Sequence, residues 1–170
     1  MKQEKFLTVY AVLDETTQSE LTQLQSRILK KYPQGTQTMG IPFHISLGSF
    51  PVSEREDLVR RIEDCIKESS SFPIKLRTLG HFNYSVIFVE PEINDRLVEL
   101  HKHFEGNFAD GFSWHPHVTL YCGKEEDGIK ILNEFSFEKK TAQIVAIELG
   151  EFFPTKIIMN GKLARNTTLL

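Results

Sequence analysis

The sequence predicts an α+β protein in which a strand-helix-strand-helix-strand unit occurs twice. Three observations carry that reading. Two strings, His44-Ile45-Ser46-Leu47 and His117-Val118-Thr119-Leu120, share one pattern of histidine, β-branched aliphatic, hydroxyl residue and leucine. The helix and strand signals around the first string recur in the same order around the second. Both halves close on the same dipeptide, Leu79-Gly80 and Leu149-Gly150. Repetition on this scale indicates a duplicated unit with pseudo-two-fold symmetry: a single domain over 1–170, with halves near 1–80 and 81–170.

Each element has a local reason. Phe6 to Leu13 is apolar and β-branched enough for a buried strand. Thr17 and Glu20 form a capping-box pattern, and Leu21, Leu24, Ile28 and Leu29 follow at helical spacing until Pro33 and Gly35. The first histidine strand runs from Phe43 to Phe50. Ser53 and Glu56 repeat the capping box, and Leu58, Val59, Ile62, Cys65 and Ile66 mark one face of a second helix. Phe72 to Leu79 alternates as a strand that closes at Gly80. In the second half, Tyr84 to Val89 is a strand ending before Pro91. Ile93, Leu97, Leu100 and Phe104 fit a helix face. An aromatic loop, Phe108 to Trp114, leads into the second histidine strand. Glu125 to Glu134 reads as a shorter helix despite Gly128. Gln143 to Leu149 is a strand, and Lys156 to Leu163 pairs back as a hairpin.

Composition narrows the function classes. The chain has 170 residues, 40% hydrophobic and 25% charged, as in ordinary globular proteins. No twenty-residue apolar run suggests a membrane span. The polar start, Met1 to Lys5, lacks a signal-cleavage pattern, so a cytoplasmic protein is expected. Two cysteines, Cys65 and Cys122, have no metal or redox spacing and fit a reduced pair. A net charge of −3 excludes a general nucleic-acid coat, which needs excess Lys and Arg. A nucleic-acid partner would be met locally, at an end or as a fragment. No heptad or apolar stripe signals self-association, so a monomer is expected.

The repeated strings carry the chemistry. On a strand, residues two apart share a face. His44 and Ser46 then point one way and Ile45 and Leu47 the other; His117 and Thr119 do the same against Val118 and Leu120. Two such strands across a lobe interface place two proton-transfer groups beside two small hydroxyl donors. That set suits a phosphate ester. A pair of histidines can remove a proton from water and deliver one to a departing oxygen near neutral pH. Around them, Tyr10, Phe43, Trp114 and Tyr121 are candidates for base stacking or the cleft rim, with Trp114 foremost. His115 is expected at the rim. His101 and His103 are expected to face solvent, and His81 has no evident partner. Lys124 and Arg77 are possible second-phosphate contacts, with solvated surface the commoner role. Lys30-Lys31, Arg60-Arg61 and Lys139-Lys140 read as solvated faces. No HExxH, Cys cluster, GxGxxG or P-loop string is present, and no metal or cofactor is expected.

These residues resemble the 2H phosphoesterase superfamily, which includes the bacterial 2′-5′ RNA ligase-like proteins. Its hallmark is two His-x-Ser/Thr-x motifs, one per half of a duplicated α+β fold, here at 44–47 and 117–120. The resemblance spans nearly the whole chain. It implies two lobes of mainly antiparallel sheet, helices on the outer faces and a central cleft. It implies metal-independent chemistry at cyclic or linear phosphodiesters, often 2′,3′-cyclic phosphates. By motif position, His44 and His117 would be the catalytic pair and Ser46 and Thr119 the phosphate-holding pair. Lys5 stands where the familiar members carry an arginine before the first strand, and the region after the second motif is compact. The expected substrate is an RNA end or small nucleotide bearing a 2′,3′-cyclic phosphate or a 2′-5′ linkage. A non-catalytic nucleotide- or RNA-end-binding module on the same fold is the alternative, and a purely structural protein a third possibility.

Overall fold

The computed structural model describes residues 3–105 and 113–166. The elements are β1 (Phe6–Leu13), α1 (Glu15–Lys31), β2 (His44–Pro51), a 3₁₀ turn (Val52–Glu54), α2 (Arg55–Glu68), β3 (Phe72–Phe82), β4 (Val86–Pro91), α3 (Asp95–His103), β5 (Val118–Cys122), α4 (Glu125–Glu134), β6 (Lys140–Phe152) and β7 (Lys156–Lys162). Most of the expected aromatic loop before the second motif lies outside the described residues.

The local signals hold with some shifts. The α1 cap is Asp14 rather than Thr17: its carboxylate accepts from the Thr17 amide at 2.9 Å and hydroxyl at 3.0 Å. The same carboxylate accepts the Gln143 amide at 2.7 Å, so it ties the helix start to β6. The expected capping box at Ser53 gives way to the 3₁₀ turn, and α2 begins without a side-chain cap. In α4, Gly128 lies against the Tyr84 carbonyl, where a Cβ would sit 1.7 Å away. Packing therefore requires the residue that weakens the isolated helix.

All strand pairings are antiparallel, in the order β2-β1-β6-β3-β4-β5, with β7 on β6. Exchanging β1 with β4, β2 with β5 and β3 with β6 leaves this order unchanged. Each half thus gives its closing strand to the other. The seam is short: Phe72–Leu76 of β3 pairs with Lys140–Ile144 of β6. Beyond it β3 continues with β4, and β6 with β1 and β7, forming the two arms. One apolar core joins the helices to the sheet, with Leu7, Val9, Ala11 and Leu13 of β1 meeting Leu21, Leu58, Leu97 and Ile131. Tyr10, Val12 and Ala146 form a small cluster on the opposite face.

Both motif strands carry one extra residue. Val9 faces Gly48 but Tyr10 faces Ser46, which leaves Leu47 unopposed. Ile87 faces Tyr121 but Phe88 faces Thr119, which leaves Leu120 unopposed. These are β-bulges, and a bulge re-aims side chains. Each frees a leucine carbonyl, and a helix of the other half bonds it. Gln25 Nε2 of α1 donates to Leu120 O at 2.8 Å, and His101 Nδ1 of α3 donates to Leu47 O at 2.9 Å. His101 is therefore not solvent-facing: it stacks on Trp114 with ring centroids 3.8 Å apart. Arg61 also departs from a solvated role, lying 5.6 Å from both the Phe50 and Phe104 rings.

Gly80 and Gly150 lie inside strands rather than closing them. A Cβ on Gly80 would meet the Phe88 ring at 2.6 Å, and one on Gly150 the Tyr10 ring at 3.0 Å. Each glycine admits an aromatic ring lying across the strand, a recognised use of glycine within sheets.

Two outcomes are expected in denaturant unfolding. His101→Ala strands the Leu47 carbonyl and should destabilise by about 1–3 kcal/mol, the scale for an unpaired buried acceptor. His101→Gln should recover much of that loss, because Gln25 makes the matching bond in the other half. Gly80→Ala should lower stability by about 1–3 kcal/mol through overpacking against Phe88.

Candidate active site

The two motif histidines are held alike. His44 Nδ1 bonds the Pro42 carbonyl at 2.8 Å and His117 Nδ1 bonds the His115 carbonyl at 2.8 Å, each two residues upstream. A carbonyl only accepts, so Nδ1 carries the hydrogen and Nε2 keeps its lone pair. Each imidazole also packs on an aromatic ring from the neighbouring strand. Tyr10 lies 4.4 Å from His44, and Phe88 lies 5.3 Å from His117. These are the two rings admitted by Gly150 and Gly80, and they sit opposite Ser46 and Thr119 in the strand register. Glycine, ring and imidazole form a layer in each half. Phe82 adds a second ring edge-on to His117 at 4.9 Å.

Burial is the largest cause lowering the pKa of both imidazoles. Desolvation pushes the His44 pKa down to about 4, and the positive charge that His117 would carry opposes its protonation further. Burial lowers the His117 pKa; the hydrogen bond to the His115 carbonyl offsets part of that, and a charge on the His115 ring adds to the lowering.

A cleft of about 550 Å³ opens onto His44, Ser46 and Thr119. The bulges add two residues that strict alternation hides. After Leu47 the side-chain phase reverses, so Ser49 faces the cleft and Phe50 the core. After Leu120 it reverses likewise, so Cys122 faces the cleft while Tyr121 is fully buried. Thr8 joins them, its hydroxyl 3.2 Å from that of Ser49. The described lining residues include no Lys, Arg, Asp or Glu. Lys124 and Arg77 are exposed and absent from the lining. Lys5 pairs with Glu151 at 3.5 Å, and Arg55 pairs with the same carboxylate.

The aromatic expectations need correction. Trp114 is committed to the protein: its Nε1 donates to Ser46 O at 2.9 Å and its face covers His101. It ties the segment before the second motif to the first motif strand, with one face against His101. Tyr121 is in the core because of the bulge at Leu120. Tyr10 faces the cleft side but is fully buried under His44. Phe43 does line the cleft, and His115 is exposed, edge-on to Phe82 at 5.2 Å. His81 stacks on Tyr84 at 4.0 Å and accepts its amide. Behind Tyr10, the buried Glu148 accepts from Asn160 Nδ2 at 2.5 Å. Burial first, then the Glu148 charge, raises the Tyr10 pKa, so the phenol stays protonated. Nothing in the sequence pattern singled out Glu148, because its strand alternates with apolar neighbours.

Among the described residues, no three His, Cys, Asp or Glu side chains gather as a metal site, and no helix is long and apolar enough to cross a membrane.

Comparison with known proteins places this arrangement in a wider group. No curated protein matches the chain. Among solved structures, TT0787 of Thermus thermophilus superposes with a TM-score of 0.67 at 14% identity, covering 95% of this chain and 99% of that one. LigT of E. coli, crystallised with 3′-AMP, superposes with a TM-score of 0.63 at 14% identity, covering 96% of this chain and 100% of the other. A crystal structure described as a phosphoesterase gives 0.59 at 13% identity, with coverage of 96% and 100%. These likenesses establish the fold. The family model of the 2′-5′ RNA ligase superfamily matches residues 40–149, from just before the first motif to the end of the Leu149-Gly150 approach. With both motifs inside that match, the chain belongs to the 2′-5′ RNA ligase superfamily.

Proposed function

We propose that the protein hydrolyses a phosphodiester, a 2′,3′-cyclic phosphate or 2′-5′ linkage on an RNA end or small nucleotide, by two-histidine acid–base catalysis. The observation that carries the reading is the matched pair of imidazoles, each with Nδ1 fixed on a backbone carbonyl and Nε2 left for chemistry. A binding module has no need for two proton-transfer groups oriented alike. The LigT fold has also been crystallised with 3′-AMP and with phosphate.

In this mechanism a phosphodiester lies between the two histidines. One Nε2 takes a proton from water as its oxygen attacks phosphorus. The other Nε2, protonated, gives its proton to the ribose oxygen as the P–O bond breaks. The hydroxyls of Ser46 and Thr119 donate to the non-bridging oxygens, where negative charge accumulates. No metal is required for this balance of protons and charge.

The protein's own surroundings leave both imidazoles neutral at pH 7. The reaction needs one of them charged. The anionic ester supplies the missing bias, because a negative charge beside a histidine favours its protonated form. Substrate binding therefore takes up a proton.

His44→Ala and His117→Ala should each reduce turnover of adenosine 2′,3′-cyclic phosphate by roughly 10²–10⁴-fold. Ser46→Ala and Thr119→Ala should cost less, and EDTA should leave the wild-type rate unchanged. Retained activity in both histidine variants, or binding with no product in the wild type, would refute the enzymatic reading. The pH profile is a separate check. Because both free-enzyme pKa values lie below about 6.5, kcat/KM should peak below pH 6.5 and decline on either side. The kcat profile should extend to higher pH, since bound phosphate raises the acid's pKa.

A further inference from the structure

The cleft is longer than one nucleoside. Phe6 lies four residues before Tyr10 on β1, with its side chain on the same face. At a strand rise of about 3.3 Å per residue, this end is about 13 Å from the ring beneath His44. The base of a nucleoside whose cyclic phosphate sits between the histidines is only one ribose away and falls short of it.

That far end is an aromatic platform. Phe6 and Phe152 stack with centroids 5.0 Å apart, and Phe153 stands edge-on to Phe6 at 5.8 Å. Phe152 is buried, but Phe153 is 45% exposed. Phe153 also holds φ at 65°, in the left-handed region that bulky residues avoid. Residues in such conformations cluster at ligand clamps and active sites. Between platform and histidines lie the paired hydroxyls of Thr8 and Ser49. One hydroxyl can donate to the other, which leaves a hydrogen for an internucleotide phosphate or a ribose oxygen.

We propose that Phe6, Phe152 and Phe153 form a subsite for the base of the penultimate nucleoside, so that the preferred substrate is the terminal dinucleotide of an RNA carrying a 2′,3′-cyclic phosphate. This rests on the catalytic reading above and adds to it a second binding position. The continuity of the cleft from His44 to Phe153 and its intervening hydroxyls favour a nucleic-acid strand over a protein partner.

The test compares kcat/KM for adenosine 2′,3′-cyclic phosphate with that for the dinucleotide ApA ending in the same cyclic phosphate. Base–aromatic stacking predicts a preference for the dinucleotide of roughly 5- to 150-fold. Phe153→Ala and Phe6→Leu, which remove a stacking face, should bring the ratio towards one, while Phe153→Trp should keep it. Ile157→Ala, at an exposed apolar residue outside the cleft, should also keep it. Equal rates on the two substrates in the wild type, or an unchanged ratio in Phe153→Ala and Phe6→Leu, would overturn the subsite and leave the catalytic reading standing. No turnover of either substrate would overturn both.

Discussion

The bulges at Leu47 and Leu120 are the constraint on which the cleft depends. A regular strand would send Ser49 and Cys122 into the core and bring Phe50 and Tyr121 out among the histidines. One extra residue reverses the phase after the motif hydroxyl in each half. The cleft then gains small polar groups, and the core gains two large rings. The leucine carbonyl freed by each bulge is buried, and an unpaired buried carbonyl is unfavourable. Gln25 and His101 meet that requirement. The bulge geometry and the helix side chain that satisfies it form one structural unit.

Those bonds also make the halves interdependent. The helix that follows β1 serves β5, and the helix that follows β4 serves β2. The closing strands are exchanged in the same sense, with β6 beside β1 and β3 beside β4. Neither half contains all the contacts that shape its own motif. The long-range character of this arrangement favours cooperative folding of the whole chain over independent folding of the halves. His44 opens β2 and His117 immediately precedes β5, so each motif histidine is tied to a strand anchored to the opposite half.

Much of this was legible in the sequence, and the failures share a cause. Period-two and period-3.6 patterns placed the strands and helices, because burial on one face writes itself into residue order. The repeated Leu-Gly was visible, but its meaning was not. Gly80 and Gly150 looked like strand terminators, whereas they make room for Phe88 and Tyr10. Strict alternation turns Tyr121 toward the cleft, for base stacking or its rim, because a bulge leaves no mark in the alternation that precedes it. Trp114 and His101 carry no local signal of their roles, because each is explained only by the other and by a strand from the far half. Phe6 and Phe152 come together only through the β1–β6 pairing, a contact between the two ends of the chain. Local pattern reveals the elements, and non-local pairing decides which side chains share a site.

The described residues that line the cleft include no Lys, Arg, Asp or Glu, which bears on the proposed chemistry. A cleft rich in Lys or Arg would attract the ground-state phosphate and its transition state alike, and uniform binding of that kind does not accelerate the chemical step. Here the described lining offers hydroxyls, amides and the His44 imidazole. Hydroxyl donors strengthen as charge builds on the non-bridging oxygens, and they are already oriented when it does. In the proposed reaction the imidazoles respond to the same charge, because burial disfavours their protonation until an anion arrives. Under the proposed mechanism, the cationic acid is then created by the substrate it acts on, in the place where it is needed. A fixed guanidinium would pre-empt this coupling by neutralising the anion before a histidine could take up its proton. Among the described residues, the lack of lining cations and the lowered histidine pKa values favour the same course in the proposed reaction.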